Sequence, residues 1–299
     1  MKRLGKSWRA FNALWLALAC LAPGFAWADS TAAFTRGLLW KIERASGSAK
    51  PSFVFGTIHS DDPQVATPPQ PVAAALAGSR IFMMEMLPDA QALVTVAQAM
   101  LGGEDTSLKA AIGPTHFSKA VKALSERGMP EPVVDRMAPW AAAVALNMPK
   151  PRGGLPLDLA LYAATQTQNK PALGIETAAE QTAVFSSLSS AEQIALLKET
   201  IDNLPQIEQA FGELHRVYLT RDLAAIVKLS ERYAPRDQAL ARKMMSALLD
   251  TRNLRMVQRI EAELQKGGAF VAIGALHLPG EKGVLQLLHA RGYRVTSVY

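Results

Sequence analysis

Two apolar runs, one near each end of the chain, finish on the same signature. Phe53-Val54-Phe55-Gly56-Thr57-Ile58-His59 and Val271-Ala272-Ile273-Gly274-Ala275-Leu276-His277 align without a gap, and each leads into a loop that reaches a proline, Pro63 or Pro279. With 20 Gly and 5 His in 299 residues, random placement gives roughly 20 × 5/299 ≈ 0.3 Gly-x-x-His spacings of this kind. The spacing occurs four times, at Gly56, Gly113, Gly212 and Gly274, but only Gly56–His59 and Gly274–His277 close matching apolar runs, and that shared context is what is hard to ascribe to chance. Short apolar runs bounded by turn residues read as buried strands. A chain with such strands near both ends has to bring those ends into one sheet.

The rest of the chain fits that constraint. Residues 37–44 and 51–59 are strand-like and flank a polar, glycine-containing turn at 45–49, the pattern of a β-hairpin. A short alanine-rich helix is expected around 71–76. Residues 80–86 (Arg-Ile-Phe-Met-Met-Glu-Met) read as a buried strand interrupted only by Glu85. Helical periodicity fills most of 90–150, with a looser stretch at 101–113, and stops at the breaker Pro149-Lys150-Pro151-Arg152-Gly153-Gly154. A helix at 157–168 and a short strand at 171–176 follow. Residues 178–266 are helical with one polar and one apolar face. The strand at 269–277, a helix at 281–291 and a last strand at 293–299 complete the chain. The expected fold is α/β: a central parallel or mixed sheet built from strands near both ends, with a large helical insertion or cap spanning about 90–266.

The N-terminal residues have a different purpose. Lys2, Arg3, Lys6 and Arg9 precede an apolar run at 10–23, and Ala26-Trp27-Ala28 stands before Asp29. This is the anatomy of a secretory signal peptide cleaved after Ala28, which divides the chain into 1–28 and a single domain at 29–299. The run is shorter than the ~20 residues a spanning helix needs. Cys20 lacks a lipobox, since Ala17 and Leu18 occupy the positions that want Leu and a small residue, so lipidation is not expected. The expected location is periplasmic, with no stable membrane span after cleavage. Cleavage removes four positive charges and takes the formal net charge from +6 to +6 − 4 = +2. The basic excess is therefore a targeting device and does not argue for a nucleic-acid partner. Cys20 is the only cysteine, so residues 29–299 can form neither a disulfide nor a thiolate site.

The chemistry gathers at strand ends, where ligands of α/β sheets bind. His59 and His277 point there, and Gly56 and Gly274 let a neighbouring backbone approach closely. Glu85 lies among Phe82, Met83, Met84 and Met86, where an unpaired carboxylate is costly and needs a cation or strong donors. Glu176 closes Leu173-Gly174-Ile175 in the same way; its other reading is an acid at a helix N-terminus. If their strands are parallel neighbours, His59, His277, Glu85 and Glu176 converge. Two imidazoles and carboxylates suit Zn, Mn or Co, or a metal-free acid–base pair. His116, His215 and His289 read as loop, surface or packing residues. Asp158, after Pro156, fits the first turn of a helix. No His-Glu-x-x-His, Gly-x-Ser-x-Gly or phosphate-loop pattern occurs.

The paired Gly-x-x-His motifs with Glu85 between them resemble the TraB/GumN family, which also includes PrgY-type proteins. Leu39-Trp40-Lys41-Ile42, Leu173-Gly174-Ile175-Glu176-Thr177 with Glu180-Gln181, and Arg252-Asn253 are similar to bacterial members too. The family is related to the Tiki metalloproteases, which clip proteins near their N-termini, and more distantly to erythromycin esterase and the haem-binding ChaN lipoproteins. The resemblance implies a metal-dependent hydrolase acting on a peptide or protein substrate. His59, His277 and Glu85 would hold a divalent metal (Mn, Co or Zn), with Glu85 as ligand or general base. Arg252 would hold a carboxylate or stabilise an oxyanion, with Asn253 and Glu176 in support. The alternative is a non-catalytic periplasmic binding protein that holds a peptide or haem in the same crevice.

Overall fold

The second motif's strand is the centre of the sheet. β1 (Leu39–Arg44), β2 (Ser52–Thr57), β3 (Ile81–Met84), β4 (Ala172–Gly174), β5 (Ala269–Gly274) and β6 (Tyr293–Ser297) pair in the order β4-β3-β5-β2-β1-β6. Every residue of β5 is buried, as a strand covered on both faces requires. β4, β3, β5 and β2 run parallel, while β1 is antiparallel to both β2 and β6. The computed structural model describes residues 34–44, 49–103 and 106–299. The basic start, Cys20, the cleavage position at Ala28 and most of the 45–49 turn lie outside the described residues. No helix among the described residues is long and apolar enough to cross a membrane.

The mixed α/β sheet and the β1–β2 hairpin match the sequence expectations. The strand ends do not. β2 stops at Thr57, β3 at Met84 and β5 at Gly274, so His59, Glu85 and His277 stand beyond their strands. His277 closes a 3₁₀ turn, Ala275–His277. The cause is local: the Gly274 N–H donates to the Glu85 carboxylate at 2.7 Å instead of to a backbone carbonyl, which ends the β3–β5 ladder. On the other side of β3 the ladder runs on, with Ile175 N–H donating to Met84 O at 2.8 Å and Glu176 N–H to Glu85 O at 2.7 Å.

Two apolar clusters form the interior. One surrounds the sheet and includes Met84, Ile175 and Met256; the other lies among the central helices and includes Ala178 and Leu248, with Met86 packed against it. Glu85, Glu176 and Arg252 each sit in the chain between a residue of the first cluster and a residue of the second. The charged residues therefore line the seam where two cores meet.

Helix Thr251–Lys266 brings Arg252 to that seam. Its buried residues Asn253, Met256, Val257, Ile260 and Leu264 recur at three- and four-residue intervals, the stripe of an amphipathic helix. Arg252 and Asn253 open the same face. The π-helical turn Ser246–Asp250 just before it interrupts the α-helical register, as such turns often do beside functional groups.

Register also explains one motif glycine. Thr57 lies opposite Gly274, and Gly56 opposite Ile273, so the two motifs are staggered by one position. A Cβ on Gly56 would stand 2.8 Å from Leu278 Cδ1, 3.1 Å from Ala275 Cα and 3.2 Å from Ala275 Cβ. The first motif thus needs glycine to admit the turn of the second. The buried Tyr218 hydroxyl, from helix Leu204–Leu219, donates to Gly56 O at 2.7 Å and fixes the same peptide from above.

Replacing Gly56 by Ala is expected to lower stability by about 1–3 kcal/mol through overpacking. Gly212→Ala, at a helical position with nothing within 4 Å of the added carbon, is expected to be neutral or stabilising. Urea unfolding of the two variants checks the contrast.

Candidate active site

Four parallel strand ends and two helix starts build the site. Arg252 is its hub. Its Nη2 donates to Glu85 Oε2 at 2.5 Å and to Glu176 Oε2 at 2.7 Å, and its Nε to Glu176 Oε2 at 2.9 Å. Nη1 reaches Leu248 O at 3.4 Å. Arg255 adds a weaker contact to Glu176 at 3.4 Å. Gln181 turns its Nε2 towards Glu176 Oε2 at 3.4 Å and Glu85 Oε2 at 3.5 Å, and its buried Oε1 has no partner. Glu85, Glu176, Gln181 and Arg252 are all buried. Leaving one member unpaired there is costly, which explains why each carboxylate oxygen of Glu85 has its own N–H donor. Arg252 therefore holds two carboxylates in this arrangement.

His277 is anchored on one side. Asn253 Nδ2 donates to Lys282 O at 2.9 Å, which leaves Asn253 Oδ1 facing His277 Nδ1 at 2.6 Å as an acceptor. Nδ1 must then carry the proton, and Nε2 is bare. Burial, with the Arg252 cation and His59 nearby, pushes the imidazole down to about 3, so His277 is neutral at ordinary pH. Its Nε2 lies 3.8 Å from Glu85 Oε1.

His59 is anchored differently. Its Nδ1 faces Asp158 Oδ1 at 2.9 Å, without full hydrogen-bond alignment, and Asp158 Oδ1 has no other partner. Its Nε2 is buried and has no partner. Burial alone pushes the ring down. The Asp158 carboxylate, with Glu85 behind it, outweighs burial and the opposing Arg252 charge, and holds His59 above its ordinary value of 6.5. Asp158 stands in the first turn of helix Leu157–Thr167, where an acid also suits the helix dipole. Its partner lies far away in sequence, so that position alone read as a helix start.

The four residues expected to converge do so, joined by Arg252 and Asn253. Glu176 does not cap the helix after it; Thr177 and Glu180 form that capping box. The outlying histidines are elsewhere: His116 pairs with Asp202 at 3.4 Å, and His289 lies edge-on to Phe34. His215 is nearer than expected, 3.8 Å from Asp62.

His277 Nε2 and Glu85 Oε1 are spaced much as two ligands on one ion. Among the described residues, however, no group of three His, Cys, Asp or Glu is placed to hold a metal. Both oxygens of Glu85 already accept N–H donors. The three-ligand set of His59, His277 and Glu85 is therefore not assembled in this arrangement.

The sequence model of the TraB/PrgY/gumN family matches residues 38–297. No curated protein and no solved structure matches the chain.

Arg252→Met removes the cation shared by Glu85 and Glu176 and is expected to cost about 3–5 kcal/mol at pH 7. Urea unfolding at pH 7 measures the loss. The imidazoles should also separate in nitrogen NMR. His59 titrates above 6.5, whereas His277 keeps its Nδ1–H, bare-Nε2 form down to about pH 4. Linkage follows these signs. His277 subtracts stability as pH falls from 6.5 towards about 3. The His59 contribution is full below 6.5 and is lost as pH rises through its folded value.

Proposed function

This chain belongs to the TraB/PrgY/gumN family, and on that premise we propose that it is an exported hydrolase of peptide bonds whose general base is His59. One observation carries the reading: two imidazoles at the ends of neighbouring strands each meet a partner at Nδ1, His59 Nε2 is buried without a hydrogen-bond partner, and His277 Nε2 has nothing nearer than Glu85 Oε1 at 3.8 Å. That is the preparation a water molecule needs. Histidines that only terminate strands would have both nitrogens satisfied, because a buried acceptor without a donor costs about 1–3 kcal/mol.

The two rings take different parts. A water held by His277 Nε2 and His59 Nε2 is oriented by two acceptors. His59, the more basic ring, accepts its proton as the oxygen attacks the carbonyl carbon, and Asp158 stabilises the imidazolium that forms. The C–N bond then breaks, and His59 returns the proton to the leaving amine. His277 stays neutral throughout. Arg252, Glu85 and Asn253 act through position: they set the β5 turn and the ring that projects from it. Export rests on the basic start, the apolar run and Ala26-Trp27-Ala28.

Digestion of a peptide library by the purified mature protein tests the reading. Wild type should cut, and His59→Ala and Asp158→Ala should lose about 10²–10⁴-fold in kcat while remaining folded. Cutting should persist in chelator. Loss in chelator with recovery in Mn or Co would replace the acid–base route by a metal-assisted one. No product under any of these conditions would sink the hydrolase and leave a binding protein.

A further inference from the structure

The centre just described is closed. Glu85, Glu176, Arg252 and His277 are at most 5% exposed, and the His59 and Asp158 side chains, at 11% and 13%, are the centre's more open edge. The segment beside it is the breaker at 149–155, which has no regular structure and is exposed from Lys150 to Leu155. It is nevertheless tied down. Asp61 Oδ2 accepts the Arg152 N–H at 2.6 Å and the Gly154 N–H at 3.2 Å. The Arg152 guanidinium reaches the next carboxylate, Asp62 Oδ2, at 2.6 Å. Gly154 lies so close to Asp61 that an added Cβ would stand 3.1 Å from its carbonyl oxygen and 3.3 Å from its Cβ.

The chain positions make this clasp more than a surface tie. Asp61 is two residues after His59. Gly154 is four residues before Asp158, and Pro156 stiffens the path between them. Two short segments are thus joined at one end by Asp61 with the strap and at the other by His59 with Asp158, in one closed loop. Opening one end of so small a loop returns conformational freedom to the other.

We propose that Asp61 is a positioning residue: by clasping the 149–155 strap through its main-chain amides, it holds Asp158 against His59. The catalytic part of this inference rests on the hydrolase reading; the clasp itself does not. The carboxylate never touches the reacting atoms. It acts by setting where Asp158 stands.

The test uses the full mature protein and two readouts that need no substrate. Hydrogen exchange followed by mass spectrometry reports on the strap, and the low-field proton NMR signal of the His59 Nδ1–H reports on its contact with Asp158. Asp61→Ala should speed exchange at 152–154 by about tenfold or more and remove or shift the low-field signal. Arg152→Ala, which keeps the main-chain clasp, should change both far less. With a cleaved peptide in hand, Asp61→Ala should lower kcat by about 10–100-fold with a smaller change in KM. If Asp61→Ala does not fold, Gly154→Ala reads the same release by pushing the strap away from Asp61. Unchanged strap exchange, or a freed strap with the low-field signal intact, overturns the proposal. If wild type cleaves nothing, the hydrolase reading alone fails, and the exchange and NMR results still decide the clasp.

Discussion

The arrangement of this protein depends on one buried cation shared by two carboxylates. Arg252 sits 2.5 Å from Glu85 and 2.7 Å from Glu176, with all three out of water. Taking such charges from water costs several kcal/mol each, so the group is tolerable only when complete. Completion has geometric consequences. It ties the ends of β3 and β4 to the start of helix Thr251–Lys266, and through Gly274 N–H it ties β5 as well. The apolar sheet core and the apolar helical core could each pack without it. The ion group fixes how they meet, because it lies on the seam between them.

That fixed seam makes two similar motifs chemically unlike. Both histidines follow Gly-x-x, yet His277 is pushed down to about 3 by burial and then by Arg252, while Asp158 outweighs burial at His59 and holds it above its ordinary value. A pair of titratable groups driven apart by their surroundings is the usual basis for dividing acid–base roles. The same environment weighs against an assembled three-ligand metal site, since Glu85 is already occupied by Arg252 and a backbone amide. It also explains why the centre is closed: a complete ion group and two buried rings leave no room for bulk water.

Much of the fold was legible because buried strands and amphipathic helices write their periodicity into adjacent residues. The hairpin, the central strand at 269–274 and the helical middle all follow from that. The site was legible where a polar residue interrupted an apolar run, as at Glu85, or where a motif repeated, as at Gly56–His59 and Gly274–His277. Asp158 carried no such signal. An acid after proline at a helix start has a sufficient local explanation, and its contact with His59 spans about a hundred residues of chain. Asp61, in the loop between His59 and Pro63, carried no such signal either.

The sequence by itself determined that strands from both chain ends share a sheet, that two histidines and Glu85 belong together, and that residues 38–297 match one family. These follow from local apolarity and from residues that make no sense unpaired. Only the tertiary structure decided where each strand stops, which imidazole nitrogen is bare, and which ring is the more basic. Those properties come from groups that approach in space after folding, so no local pattern encodes them.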